Sequence, residues 1–371
     1  MAKHNAANAR IKREYFQYLK EAGRRNEASI DAVAKALDRF ETANGHRDFK
    51  TFHRAQAVAF KRKLDGETAA GTGKPLSRAT VHSTLSALRA FFVWLAGQPG
   101  YKSRLRYADA DYFNLAETEV RIAKAVRHKA FPTLEQVHHV LAAMPSDTDI
   151  GLRNRALVAF ALLTGARDGA LSSFRIKHVD LVQGRVDQDA RDVRTKASKT
   201  FSTWFFPVGG DALDIVREWC RHLREDLLRG DDDALFPATQ IGLGEGGGFM
   251  AVGLRRDGWS NTGPVREIFK VAFAAAGLPY FNPHSFRHTL GQLGERVCPS
   301  IEAFKAWSQN MGHDRVMTTL TSYGAVAPHR QAELMRGLGI EKPAGVPDPM
   351  YIAKVMAAMQ QVGNGLAGVE L

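Results

Sequence analysis

Apolar residues recur at helical spacing along most of the 371-residue chain, and only one stretch of short, strand-like segments interrupts this pattern. One helical face is formed by five apolar residues at alternating steps of four and three: Val81, Leu85, Leu88, Phe92 and Leu95. Ser77 is suited to cap the start of this helix, and Gly97 and Pro99 are suited to end it. The pattern excludes an all-β fold and favours a mainly helical one.

The first third of the chain is both helical and basic. Further helices are predicted near residues 9–22, 29–43 and 52–64. Residues 1–130 contain 25 basic and 13 acidic residues, a net charge of +12, whereas residues 131–371 contain 26 of each. This asymmetry predicts a polyanion-binding module that lies against a DNA backbone. A helical bundle with solvated lysines is an equally good interpretation of this segment alone. We expect the module to span residues 1–125, with a basic linker over 99–130.

A second domain is predicted to begin near Phe131. Thr133 and Gln136 have the spacing of a capping box behind Pro132. Three short segments, at 179–186, 190–195 and 201–208, predict a small antiparallel sheet. The remaining segments predict helices: 133–144, 151–165, 211–229, 264–276, 283–297, 301–311 and 326–337. The expected fold class is therefore mainly α with a small antiparallel β-sheet.

Several classes of protein are excluded or disfavoured. The longest purely apolar run, Ala156 to Leu163, is far shorter than the roughly 20 residues that a membrane span needs. Two cysteines, Cys220 and Cys298, cannot build a disulfide framework or a cysteine-rich metal site, and no secretory signal is visible. We therefore expect a cytoplasmic protein that does not bind a membrane.

Two glycine-rich stretches do not predict a nucleotide site. Gly242, Gly244 and Gly247 match a dinucleotide fingerprint, but no apolar strand precedes them and no helix follows directly, so we expect a flexible loop. Near Lys74, a phosphate-binding loop would need a hydroxyl residue where Pro75 stands. No nucleotide, metal or other cofactor is expected.

The second domain contains polar residues in contexts that suit phosphate chemistry. His284 and Arg287 are three residues apart and so share one face of a helix start. Asn282 is suited to cap that helix and Pro283 to begin it, and the first turn offers free backbone N–H groups for a phosphate. The complete ordered set is Arg167, Lys196, His284, Arg287, His313 and Tyr323.

In this order the set resembles the signature of the tyrosine recombinases, also called phage-type integrases. The matching motifs are TGAR at Arg167, TK at Lys196, HSFRH at His284 and Arg287, GH at His313, and the late Tyr323. By motif the resemblance covers about residues 131–337. It implies an N-terminal helical core-binding (SAM-like) domain in front of a catalytic domain, which we place at 131–340. It also implies site-specific DNA recombination, as in the integration or excision of a mobile element.

The physical chemistry of phosphodiester cleavage agrees with this resemblance. Charge on the phosphoryl oxygens must be stabilised, and arginine binds phosphate bidentately without losing its charge. Arg167 and Arg287 would therefore clamp the non-bridging oxygens. His284 and His313 would donate hydrogen bonds to them or handle the proton of the nucleophile.

The resemblance assigns the two remaining residues to bond making and bond breaking. Tyr323 would attack as a covalent nucleophile and form a 3′-phosphotyrosine, and Lys196 would protonate the departing 5′ oxygen. Rejoining would reverse this step on a partner strand without ATP or a required metal. The partners implied are double-stranded DNA and further copies of the chain, as a tetramer on DNA.

Three departures from the family pattern bear on the site. Ala170 stands where the family commonly has a glutamate, and Asp168 is a partial substitute. The spacing from His313 to Tyr323 is one residue longer than is usual in the family. Lys199 lies in the same hairpin as Lys196 and is the alternative general acid.

Residues 341–371 are predicted to form a linker and a short tail helix. Three prolines mark the linker, and an amphipathic helix is predicted over 351–362. A helix this short is marginal alone, so it is expected to pack on its own domain or on a neighbouring protomer. The resemblance favours the neighbour.

Two other functions fit parts of the sequence. One is a type IB topoisomerase-like enzyme that relaxes DNA with the same chemistry. The other is a non-catalytic DNA-binding or architectural protein with a degenerate pocket, for which Ala170 and the longer spacing to Tyr323 are the support. Loss or retention of covalent DNA attachment separates them from one another.

Overall fold

A computed structural model describes residues 4–69, 73–125, 130–244 and 247–313. The chain divides into two compact units, Met1–Arg127 and His128–Leu371. Each unit has a hydrophobic core of its own. In the described part of the chain no helix is long and apolar enough to cross a membrane.

The first unit is built from helices around an aromatic core. On the helix Arg78–Ala96, here α4, all five residues of the predicted apolar face are buried. The hydroxyl of Ser77 caps this helix by accepting a hydrogen bond from the Thr80 N–H at 3.1 Å. Phe40 packs edge-on against Phe60, Phe92 and Phe113. The helices of this unit are α1 (Ala6–Glu21), α2 (Glu27–Ala43), α3 (Arg54–Asp65), α4 (Arg78–Ala96) and α5 (Glu117–Lys124).

The prediction of a linker over residues 99–130 is wrong for most of that range. Tyr101, Leu105 and Phe113 are buried in the core of the first unit, and Tyr107–Phe113 forms a 3-10 helix that is followed by α5. The described basic residues of this segment are exposed and do not show that apolar residues between them are buried. Its widely spaced apolar residues provide enough buried area to fix it against α3 and α4.

The second unit is mainly helical, with two small antiparallel sheets. Its predicted capping box is confirmed, since the Thr133 hydroxyl accepts from the Gln136 N–H at 3.2 Å and the Gln136 side chain accepts from the Thr133 N–H at 2.9 Å. Its helices are α6 (Leu134–Ala143), α7 (Asp149–Thr164), α8 (Asp168–Leu171), α9 (Ala212–Glu225), α10 (Gly263–Ala275), α11 (Phe286–Val297) and α12 (Ile301–Asn310). Its strands are β1 (Val179–Asp180), β2 (Arg185–Gln188), β3 (Phe201–Trp204), β4 (Thr239–Leu243) and β5 (Phe249–Leu254).

The sheets differ from the sequence predictions in three places. The segment 190–195 is a loop, because the N–H groups of Asp192 and Val193 bond locally to the carbonyl of Asp189 instead of to a ladder. The small antiparallel sheet is present with the strand order β1, β2, β3, but the single strand predicted over 179–186 is a tight hairpin that turns at residues 181–184 and contributes to both β1 and β2. The stretch around Gly242, expected to be a loop, is part of the two-stranded β4–β5 hairpin.

Helix α7 forms the centre of the second unit. Every residue from Ala156 to Leu163 is buried, and α9 packs along the helix. A helix that is apolar on all sides must be surrounded by protein, so its C-terminal end is a rigid support. The TGAR motif begins at that end.

Candidate active site

Arg167 is presented by a tight turn at the C-terminal end of α7. Gly165 adopts the left-handed conformation with φ of +58°, and its N–H donates to the carbonyl of Ala161 at 2.9 Å. A Cβ at Gly165 would lie 2.9 Å from Leu290 Cδ1, so glycine is needed for space as well as for conformation. Arg167 follows in extended conformation, half-buried, immediately before α8.

The HSFRH motif begins α11 as the sequence predicts. The Asn282 side chain accepts from the Ser285 N–H at 3.2 Å, and Pro283 starts a 3-10 turn that leads into the helix. Arg287 is 3% exposed. His284 is exposed to solvent, and its ring contacts that of His288 edge-on.

The guanidinium of Arg287 connects three parts of the site. Nη1 donates to the carbonyl of Gly165 at 2.7 Å, and Nη2 donates to the carbonyl of Met311 at 2.6 Å. Nη2 also lies 2.7 Å from Nε2 of His313. Because a guanidinium can only donate, Nε2 of His313 must be an acceptor, which places the ring proton of a neutral imidazole on Nδ1. Arg287 therefore joins the turns that carry Arg167 and His313.

His313 follows α12 in a second turn that needs glycine. Gly312 has a φ of +70°, and a Cβ there would lie 2.6 Å from Cζ of Phe201 on β3. The N–H of Gly312 donates to the carbonyl of Gln309 at 2.7 Å, which closes the end of α12. The GH motif thus packs Gly312 against Phe201 of the three-stranded sheet, and His313 is the next residue along the chain.

Both histidines of the site are poor bases. Although part of the ring remains exposed, partial loss of hydration lowers the pKa of His284 to about 4, with further contributions from the charges of Arg287 and His288. The same loss of hydration, followed by Arg287 and Arg167, lowers the pKa of His313 to about 4. At neutral pH the site therefore combines permanently charged guanidinium groups with neutral imidazoles.

The two candidate lysines differ in their surroundings. Lys196 is exposed, whereas Lys199 is half-buried and its charge contributes to the lowered pKa of His313. Between them Ala197 and Ser198 both adopt the left-handed conformation, with φ of +58° and +50°. That conformation is uncommon for residues other than glycine and bends the loop sharply.

Ala170 and Asp168 are the two residues that bear on the departure from the family pattern at position 170. Ala170 is fully enclosed, at 1% exposure, so a carboxylate could not occupy that position without being buried. Asp168 is fixed instead by Arg266 of α10, which donates to Oδ2 from Nε at 2.9 Å and from Nη2 at 2.6 Å. Sequence analysis did not identify Arg266, because it lies 98 residues from Asp168 and no motif marks it.

Four of the predicted site residues are thus brought together by the described part of the chain: Arg167, His284, Arg287 and His313. Tyr323, the predicted helix over 326–337 and the tail over 341–371 lie outside the described residues. The site consequently has the cations and imidazoles for binding a phosphate diester on rigid helix ends.

Comparison with known families agrees with both units. The model of the phage integrase family matches residues 131–330, and the model of the phage integrase N-terminal SAM-like domain matches residues 13–98. The tyrosine recombinase XerC of Xanthomonas axonopodis pv. citri (strain 306) is 26% identical over 290 residues, which cover 78% of this chain and 77% of that protein. XerC of Halalkalibacterium halodurans is 25% identical over 244 residues, or 66% and 70% of the two chains.

Solved structures show the same fold. A lambda integrase dimer bound to a COC′ core site has a TM-score of 0.55 and 16% identity, and the match covers 92% of this chain and 84% of that one. The Tn1549 transposon integrase in complex with transposon right end DNA has a TM-score of 0.55 and 16% identity, with coverage of 89% and 99%. Since the catalytic family model spans more than half of the residues, this chain belongs to the phage integrase family and is a tyrosine recombinase.

Proposed function

We propose that this protein is a site-specific DNA recombinase that cleaves and rejoins DNA through a 3′-phosphotyrosine at Tyr323. The observation that carries the proposal is the buried Arg287, which joins the Arg167 turn to His313 through the carbonyl of Gly165. Neither the carbonyl nor the imidazole neutralises the guanidinium charge, so the cluster keeps a positive potential for a phosphodiester. The relatives named tyrosine recombinase support the same reaction.

In the proposed cleavage step the phenolic oxygen of Tyr323 bonds to phosphorus as the bond from phosphorus to the 5′ oxygen breaks. Arg167 and Arg287 stabilise the charge that spreads over the non-bridging oxygens. His313 carries its proton on Nδ1, because Nε2 accepts from Arg287, and so it retains one N–H donor for the phosphate or the phenol. The cationic surroundings also favour the phenolate over the phenol.

The departing 5′ oxygen needs a proton, and we assign this role to Lys199 rather than to Lys196. Two observations favour Lys199: it is half-buried, and its charge acts on His313. Lys196 is exposed, three residues away across the left-handed turn. The assignment changes the residue that the sequence pattern favours while keeping the same chemistry.

Double-stranded DNA is the proposed substrate, and the first unit is the proposed clamp. Met1–Arg127 carries 24 basic and 13 acidic residues, a net charge of +11, whereas the remainder carries +1. We further propose assembly as a tetramer on DNA, with the segment 341–371 linking neighbouring protomers, and work in the cytoplasm. These last proposals rest on the family resemblance and on the charge distribution.

Covalent trapping tests the central claim. Wild-type protein and Tyr323→Phe are incubated with a nicked duplex from the boundaries of the element that encodes the protein, and the products are resolved on a denaturing gel. Wild type is expected to form a protein–DNA adduct that the variant lacks. Equal trapping would remove Tyr323 from the nucleophile role. Absence of trapping by wild type would favour the non-catalytic binding protein, and adducts with relaxation of plasmid but no strand exchange would favour the topoisomerase.

A further inference from the structure

Arg194 holds the lysine-bearing loop to the body of the second unit, beside the ion pair that Asp192 of the same loop forms with Lys177. The loop of residues 189–200 connects β2 to β3 and carries both Lys196 and Lys199. Within it, Nη1 of Arg194 donates to the carbonyl of Ser260 at 2.6 Å. Nη2 donates to the carbonyl of Ser172 at 3.0 Å and also to that of Trp259.

These three carbonyls come from two separate segments, one after α8 and one before α10. A planar guanidinium reaches both because its nitrogens are held in a fixed fork. The backbone of the same residue adds a fourth contact, since the Arg194 N–H donates to the hydroxyl of Ser173 at 2.9 Å. Arg194 is therefore attached through its side chain and its backbone.

The attachment point lies beside the turn that presents Arg167. A Cβ at Gly169 would be 3.2 Å from the carbonyl oxygen of Arg194, so the two backbones are in close contact. Gly169 is two residues after Arg167, and Arg194 is five residues before Lys199. This contact fixes the position of the lysine loop relative to Arg167.

The far end of the loop has a conformation that needs such support. Ala197 and Ser198 are both left-handed, although neither is glycine. Strained turns of this kind persist when surrounding contacts fix the chain on either side. On one side the loop is closed by the Ala190 N–H, which donates to the Thr200 hydroxyl at 3.1 Å. Beyond that closure, Arg194 attaches the loop to the rest of the unit, next to the ion pair of Asp192 with Lys177 and the buried side chain of Val193.

We propose that Arg194 is a positioning residue for DNA cleavage: it fixes the loop so that its lysine meets the departing 5′ oxygen. This inference rests on the proposed function, in which a lysine of the loop is the general acid. Arg194 itself touches neither the phosphate nor the nucleophile in this role. Its effect should therefore be confined to the protonation of the leaving group.

A substrate with a better leaving group isolates that step. In a duplex with sulfur in place of the bridging 5′ oxygen, the leaving group departs as a thiolate, whose parent thiol has a pKa near 8.5 and needs no general acid. Cleavage rates of the full-length protein are compared on the oxygen and sulfur substrates at saturating protein. The variants are Arg194→Ala, Arg194→Lys, Lys199→Ala, Lys196→Ala and the control Arg191→Ala.

Arg191 is a matched control, since it lies in the same loop and its ion pair is with Asp189, two residues away. Removing it takes the same charge from the loop without detaching the loop from the body. We expect Arg194→Ala to slow cleavage of the oxygen substrate by about 30-fold or more and to come within about threefold of wild type on the sulfur substrate. Arg194→Lys should behave like Arg194→Ala, because one ammonium cannot replace the fork. Arg191→Ala should match wild type on both.

The lysine variants distinguish failure of the Arg194 role from failure of the assignment of a loop lysine as the general acid. If Lys199→Ala or Lys196→Ala is rescued by sulfur while Arg194→Ala is equally slow on both substrates, or as fast as Arg191→Ala, the positioning role of Arg194 is wrong. If sulfur rescues neither lysine variant although wild type cleaves, no loop lysine is the acid. The assignment of Lys199 and the positioning role of Arg194 are then both wrong, whereas cleavage through Tyr323 is unaffected. Thermal melting of each variant shows that the rates are measured on folded protein.

Discussion

Nη2 of Arg287 lies 2.7 Å from Nε2 of His313, and Nη1 of the same guanidinium lies 2.7 Å from the carbonyl oxygen of Gly165. One buried side chain thus connects the end of α7, the start of α11 and the turn after α12. In these contacts Arg287 donates to neutral acceptors, so they order the site without reducing its positive charge.

Arg287→Lys should reduce formation of the covalent protein–DNA complex by about 100-fold or more. Lysine keeps the charge, but its single nitrogen cannot bridge Gly165 and His313 at the same time. Trapping on a nicked duplex measures the effect. Arg296→Lys is the control, because it lies on the same helix and is exposed. If Arg287→Lys trapped DNA as well as this control, the bridging geometry would be unimportant.

Local sequence signals predicted much of the fold because they depend on neighbouring residues. The apolar face of α4 with its Ser77 cap, the Thr133–Gln136 capping box and the Asn282 cap all match the structure. Each combines a period with an end signal within a few residues. The same local patterns do not report which residues a segment contacts, which is why the buried role of Phe113 was missed.

In the candidate site, too, local features were predictable from the sequence and contacts between distant residues were not. The motifs locate Arg167, Arg287 and His313 along the chain, and Gly165 and Gly312 within those motifs allow the turns. The pairing of Asp168 with Arg266 and the attachment of Arg194 depend on backbone atoms and partners far away in sequence. Such contacts leave no periodic trace, so one sequence cannot predict them.

Gly312→Ala should destabilise the second unit by about 2–4 kcal/mol and reduce covalent trapping. Alanine is strained at a φ of +70°, and its methyl group would also collide with Phe201. Gly277→Ala isolates the first effect, because Gly277 has a φ of +69° and open space at its Cβ, so about 1 kcal/mol is expected. Urea unfolding measures both variants. Equal losses would show that contact with Phe201 does not fix the His313 turn.

The pair of Asp168 and Arg266 should contribute about 1 kcal/mol of coupling energy in a double-mutant cycle. Its two hydrogen bonds to one carboxylate oxygen and the partial burial of Asp168 favour a value at the upper end for surface pairs. The pair of Asp214 and Arg217 is more exposed, with a single bond of 3.2 Å, and should give about 0.3 kcal/mol. Unfolding of the alanine variants measures both cycles. Similar coupling in the two pairs would mean that Arg266 does not fix the turn beside Arg167.

Removing residues 1–127 should abolish most of the salt-dependent affinity for DNA, because that unit carries +11 of the net charge. The remaining chain retains its own hydrophobic core, and circular dichroism checks that it is folded. Fluorescence anisotropy with duplex DNA at several salt concentrations gives the slope for each protein. A truncated protein with the slope and affinity of the full chain would contradict the assignment of the first unit as the clamp.

The stability of the folded protein should decrease as the pH falls from 6.5 towards 4. In the folded state the pKa of His284 and that of His313 are lowered to about 4, whereas the same side chains titrate near 6.5 in an unfolded chain. Between these values the unfolded state binds more protons than the folded state, so the stabilisation present above pH 6.5 is lost on acidification. Because His284 is solvent-exposed, we expect a modest decrease of about 1–2 kcal/mol in the free energy of unfolding for the pair between pH 7 and pH 5.

Urea unfolding at the two pH values measures this decrease, and the double variant His284→Asn, His313→Asn should show a smaller one. His139→Asn changes an exposed histidine of α6 and should retain the wild-type decrease. If the double variant lost as much stability on acidification as wild type, the two imidazoles would not be neutral in the folded site.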